Sequence, residues 1–130
     1  MNETNWELLE LAGKGYCCSQ ILAAQALSIK GVENPLLIRT MKAFCGGLQS
    51  GLLCGALSGG ACFLELLHEG SAFVMIPELI SWFTDNFGSS DCGVLTGGDA
   101  DWKAEHCPLI IAGVYEKCLE LLENHDYEIE

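Results

Sequence analysis

AFCGGLQSGLLCGALSGGACFLE, from Ala43 to Glu65, has no charge between Lys42 and Glu65, and it carries three of the eight cysteines and six glycines. A run this apolar must be covered by the rest of the chain or by lipid. It has the roughly 20 residues that a membrane-spanning helix needs. However, Gln49, Ser50 and Ser58 interrupt it, Gly46-Gly47 and Gly51 weaken its first third as a helix, and no cluster of Lys or Arg flanks it. No membrane insertion is expected. The run reads instead as a glycine-rich turn, Cys45 to Gly51, leading into a buried central helix from about Cys54 to Leu67.

The flanking sequence supplies helices to cover it. Asn2 or Thr4 can cap a first helix carrying Trp6, Leu8, Leu9 and Leu11, with Gly13 and Gly15 at its end. A second starts at Cys18, with Ile21, Leu22, Gln25 and Ala26 at helical spacing, and Gly31 closes it. Asn34-Pro35 signals a third, with Leu36, Leu37, Met41 and Phe44 inward. After Gly70-Ser71, Phe73–Phe87 places Ile76, Leu79, Ile80, Phe83 and Phe87 on one side, and Pro77 starts or kinks that helix. Cys92–Leu95 reads as a short turn, Thr96 to Asp101 as a loop, and Pro108 as the start of a last helix running to about Glu123. With no hairpin signal, the expected fold is all-α: one bundle of about five to six helices in a single domain, 1–130, with an acidic tail over about 124–130.

Six basic and eighteen acidic residues give a formal charge of −12. That argues against nucleic acid and anionic membranes as partners, and for a basic redox partner protein. Half the residues are hydrophobic, which in a small domain suggests a homodimer. The polar, acidic start MNETNWELLELAGKG lacks the pattern of a secretory signal, so a cytoplasmic setting with reduced thiols is expected. The eight cysteines then read as ligands or redox groups before they read as staples.

No CxxC, CxxH or HxxxH spacing is present. Cys18, Cys54, Cys92 and Cys107 instead each fall at or just before an expected helix start, where free N–H groups favour a thiolate. Helix packing that gathered them would make a pocket of low-pKa sulfurs. Taken singly, any one of them reads first as a small hydrophobe that packs. Cys62 and Cys118 read that way, Cys17 can do the same, and Cys45 reads as an accessory thiol. Gly55 and Gly59, one turn apart beside Ala56, Gly60 and Ala61, would let a neighbouring helix approach and leave room beside Cys54.

Gly15-Tyr-Cys-Cys-Ser-Gln20, the glycine-rich turn, Cys54-Gly-Ala-Leu-Ser-Gly59, the segment from Phe87-Gly-Ser89 to Cys92, and Cys107 before a final helix resemble a redox-active family. It is named for a C…CGAxxG…C…C pattern (the C_GCAxxG_C_C family), and the resemblance spans roughly Leu8 to Leu122. It implies that Cys18, Cys54, Cys92 and Cys107 are the family cysteines, and that Cys17, Cys45, Cys62 and Cys118 are additions of this chain. It names a chemistry class and no substrate.

Four thiolates match the ligand count of an iron–sulfur cluster, most simply [2Fe–2S], held by Cys18, Cys54, Cys92 and Cys107, with Gly55 and Gly59 beside it, in an electron-transfer protein. Two other readings use the same residues. One is cofactor-free thiol–disulfide chemistry, with Cys54 attacking and Cys18, Cys92 or Cys107 resolving; the other is a structural four-cysteine zinc site. His106 beside Cys107 is a weaker candidate ligand, and His68 and His125 read as surface residues. No Ser/His/Asp arrangement, phosphate loop or paired carboxylate motif appears, so hydrolase and kinase activities have no support.

Overall fold

The computed structural model describes residues 10–127. The expected caps Asn2 and Thr4, with Trp6, Leu8 and Leu9, lie outside them. Residues 10–13 are helical. Six helices follow: α1 (Cys18–Lys30), α2 (Pro35–Met41), α3 (Gly55–Leu67), α4 (Ser71–Phe87), α5 (Cys92–Thr96) and α6 (Ala100–Asn124). The fold is all-α, with no strand among the described residues.

Local chemistry sets most of these boundaries. The Cys17 N–H donates to Gln20 Oε1 at 3.1 Å to open α1. Gly31 closes it at φ 71° while the Val32 N–H reaches back to the Leu27 carbonyl. Asn34 Oδ1 accepts the Leu37 N–H at 3.1 Å ahead of Pro35, which needs no donor in the first turn. Gly70 and Gly88, both left-handed, bound α4. That helix runs through Pro77, on the solvent side, and buries Ser71, Met75, Leu79 and Phe83, four residues apart each time.

The last helix corrects the expected boundary. Asp99 Oδ1 accepts from the N–H groups of Asp101 and Trp102, so α6 starts at Ala100 and continues through Pro108. Pro108 deletes one helical hydrogen bond but does not end the helix. Cys107 therefore sits inside a helix.

Helix α3 is the centre. It packs most extensively on α1, and on α4 and α6 from its other sides. The groove expected at its small residues is present. A Cβ added to Gly59 would stand 2.9 Å from Ser19 Cα and 3.0 Å from Leu22 Cβ on α1, while one on Gly60 would meet Val114 of α6 at 2.8 Å. Phe63, Leu64, Leu67, Met75, Leu79, Phe83 and Val114 fill the core. No described helix is long and apolar enough to cross a membrane.

Candidate redox site

Between α2 and α3 the chain makes a short 3-10 turn (Lys42–Phe44) and a wide turn (Gly47–Gly51) whose backbone is left-handed from Gly46 to Gln49. Non-glycine Leu48 and Gln49 share that conformation, and Gln49 Nε2 anchors the turn by donating to the Cys45 carbonyl at 2.9 Å. The exit of the turn is stapled to the segment before α5. Leu53 and Asp91 form an antiparallel bridge, in which the Cys54 N–H donates to the Ser90 carbonyl (2.8 Å) and the Cys92 N–H to the Leu52 carbonyl (2.6 Å). Gly51 and Gly93 lie back to back beside it, a Cβ on Gly51 coming within 3.3 Å of Gly93 Cα. Cys54, the N-cap of α3, and Cys92, the first residue of α5, are thereby both fixed by this one bridge.

Cys18 opens α1, and its Sγ fills the space that a Cβ on Gly55 would need. Cys107 projects from α6, one turn beyond Lys103. All four thiols line one cavity of about 400 Å³, whose other walls include Tyr16, Ile21, Leu95, Ile110 and Ile111, with Lys103 as its charged residue. Pro108 also lines it; lacking an N–H, it leaves the Ala104 carbonyl without its helical donor there.

For Cys18, Cys54 and Cys107 the expectation of low-pKa sulfurs is overturned. Burial, followed by repulsion from Cys54, pushes the Cys18 thiol up to about 12, against the opposing Ser19 N–H. Burial also raises Cys54, despite the N–H groups of Ala56 and Leu57, and Cys92 and Cys107 add to the effect. Cys107 is raised by burial and then by Cys92, with Lys103 pulling the other way. The helix-start N–H groups act as anticipated, but desolvation and mutual repulsion exceed them.

Cys17 and Cys45, expected as a packing residue and an accessory thiol, form a disulfide. Cys118 is fully buried, its thiol donating to the Gly60 carbonyl at 3.7 Å, and Cys62 is half-buried on α3; neither lines the cavity. His106 stacks on Trp102 at 4.4 Å within α6 and does not line the cavity. His68 stacks on Tyr127, and His125 pairs with Glu78 at 2.9 Å. Gly59 serves the α1–α3 contact and does not line the cavity, whereas Gly55 does both.

Among the described residues, no three His, Cys, Asp or Glu side chains are arranged to hold one metal ion. A cluster makes a different demand, because its thiolates surround an inorganic core rather than a point. A cavity with one thiol from each of four elements fits that donor set.

The Cys17–Cys45 bond and the Leu53–Asp91 bridge had no readable signal. The bonded cysteines are 28 residues apart, and the bridge has no alternating pattern.

Comparison with curated proteins finds no match, and comparison with solved structures finds none. A family model described as "Putative redox-active protein (C_GCAxxG_C_C)" matches residues 16–121, from the cavity wall at Tyr16 to the core at Leu121, and the chain belongs to that family.

Proposed function

We propose that the protein transfers electrons through an iron–sulfur cluster, most simply [2Fe–2S], ligated by Cys18, Cys54, Cys92 and Cys107. The supporting observation is that these four thiols, from four separate elements, line a single largely apolar cavity. As thiolates they repel one another, and iron is the kind of cation that stabilises several thiolates together. The cluster would supply one-electron exchange. Ile21, Leu95, Ile110 and Ile111 would limit water around it, Gly55 keeps Cys18 close to the start of α3, and Lys103 offsets negative charge near Cys107. The net charge of −12 suits docking of a basic redox partner. Cofactor-free exchange led by Cys54 has less support, because burial disfavours the thiolate that would have to attack. Zinc has less support too, since the thiols do not converge on one ion.

The test is purification without oxygen, followed by a visible spectrum and assays of iron, sulfide and zinc on one sample. Broad visible bands that bleach on reduction, with matching iron and sulfide, are expected. Cys54→Ser should abolish them, and Cys62→Ser, outside the cavity, should leave them intact. Colourless anaerobic protein, or full iron content in Cys54→Ser, would overturn the reading.

A further inference from the structure

The Cys17–Cys45 disulfide adjoins the cavity. Cys17 caps α1 immediately before Cys18, and both Cys17 and Gly46 line the cavity wall. The point where a Gly55 Cβ would stand is occupied by Cys18 Sγ and flanked by the Phe44 carbonyl (3.2 Å) and Cys45 Cα (3.4 Å). The Cys45 backbone, Cys18 and the start of α3 therefore meet at one place.

The surroundings of Cys45 suit a thiol. The fully buried Ser19 hydroxyl donates its proton to the Met41 carbonyl at 2.7 Å and lies 2.9 Å from Cys45 Sγ. With that proton committed, the oxygen turns lone pairs toward Cys45. A disulfide sulfur has no proton to offer them, and a thiol has one. The hydrogen-bonding site is complete only when Cys45 is reduced.

We propose that Cys17–Cys45 is a second redox unit, a reducible disulfide whose state controls access to the four-thiol cavity. This rests on that cavity being the redox site. The reductant is a dithiol. Its thiolate attacks the Sγ of Cys17, a partly buried residue, a new S–S bond forms to Cys17, and the Cys17–Cys45 bond breaks. Cys45 leaves with the electron pair, takes a proton and donates it in a hydrogen bond to Ser19. The second thiol of the reductant then displaces Cys17, which is protonated in turn. Two electrons and two protons pass to the protein, and the dithiol departs as its disulfide. With the bond broken, the cavity wall at Cys17 is no longer tied across to the wall at Gly46, the neighbour of Cys45.

The experiment uses metal-free full-length protein equilibrated in dithiothreitol redox buffers, so its result does not depend on cluster loading. Thiols are counted by mass after denaturing alkylation, helix content is followed by circular dichroism, and native pulsed alkylation of Cys54 and Cys107 is read by peptide mass spectrometry. Six thiols should become eight in one step, with helicity kept. Alkylation of Cys54 and Cys107 should quicken by about tenfold or more as the wall loosens. Ser19→Ala should make reduction less favourable by about fivefold, the worth of one net hydrogen bond. Eight thiols already present in air-oxidised protein would overturn the proposal. So would reduction that leaves alkylation rates unchanged, or reduction that occurs only with loss of helix.

Discussion

Replacing Gly59 by alanine tests the close approach on which the site depends. In isolation the change favours a helix interior by about 1 kcal/mol, because alanine has less backbone freedom to lose. Against that, the new methyl would stand 2.9 Å from Ser19 Cα and 3.0 Å from both Leu22 Cβ and Cδ1. Ser19 Cα is backbone of a packed helix, so relief requires α1 as a whole to shift by some tenths of an ångström. Overpacking of this kind costs about 1–3 kcal/mol, and contact with backbone places this case near the upper end. The net expectation is a loss of about 1–2 kcal/mol. Gly113→Ala is the control. It lies inside α6, and its Cβ would meet only Trp82 Cη2 at 3.6 Å and Phe87 Cζ at 3.8 Å, which is ordinary contact. That variant should gain about 0.5–1 kcal/mol. Urea unfolding with unchanged m values reads both directly. A Gly59→Ala protein as stable as Gly113→Ala would refute the claimed closeness of α1 and α3, and with it the account of how Cys18 is held over Gly55.

Two further expectations follow from particular groups. Burial raises the Cys118 thiol from its usual 9.0 to about 12, so its proton is held more tightly folded than unfolded. The stability this confers is complete below pH 9 and is lost as pH rises toward 12, at about 1.4 kcal/mol per pH unit; comparing the alkaline slope of urea stability in wild type and Cys118→Ala isolates it, and equal slopes would refute it. At Gly51, where φ is 72°, alanine must adopt a left-handed conformation and press within 3.3 Å of Gly93 Cα. Gly51→Ala should lower stability by about 1–2 kcal/mol and loosen the Leu53–Asp91 bridge, which faster native alkylation of Cys92 would report; unchanged melting and alkylation would show that the bridge does not depend on this contact.

The parts of the fold that were legible are those set by residues close in sequence. Gly31, Asn34-Pro35, Gly70 and Gly88 punctuate the chain because each solves a local backbone problem at a helix end. Cys18, Cys54 and Cys92 carried a similar mark, standing at or beside the first residue of a helix. Cys107 carried a misleading one. The Pro108 that follows it imitates a first-turn proline, and the cap that starts α6 is Asp99, nine residues earlier. What joins distant segments was not legible. Neither the Cys17–Cys45 bond nor the pairing of Leu53 with Asp91 has a local pattern, since each depends on where the turn between α2 and α3 delivers the chain. The left-handed Leu48 and Gln49 follow from that same delivery and not from any preference of leucine or glutamine.

The inverted thiol chemistry is the most instructive departure. Helix starts beside Cys18 and Cys54 can be read from sequence, and their N–H groups do favour thiolates. The opposing effects come from assembly: the same packing that gathers the sulfurs removes water from them and sets their charges against one another. Gathering and protonation are therefore one consequence. A cavity of this kind keeps its protons until a cation enters, and a cation that binds the thiolates must release them. Loading of the proposed cluster should accordingly weaken as pH falls. The acidic surface of the chain does not supply that positive charge, and among the cavity-lining residues only Lys103 carries any. The chemistry of the site is thus set jointly by thiols that sequence displays and by a desolvation that only the packed structure imposes.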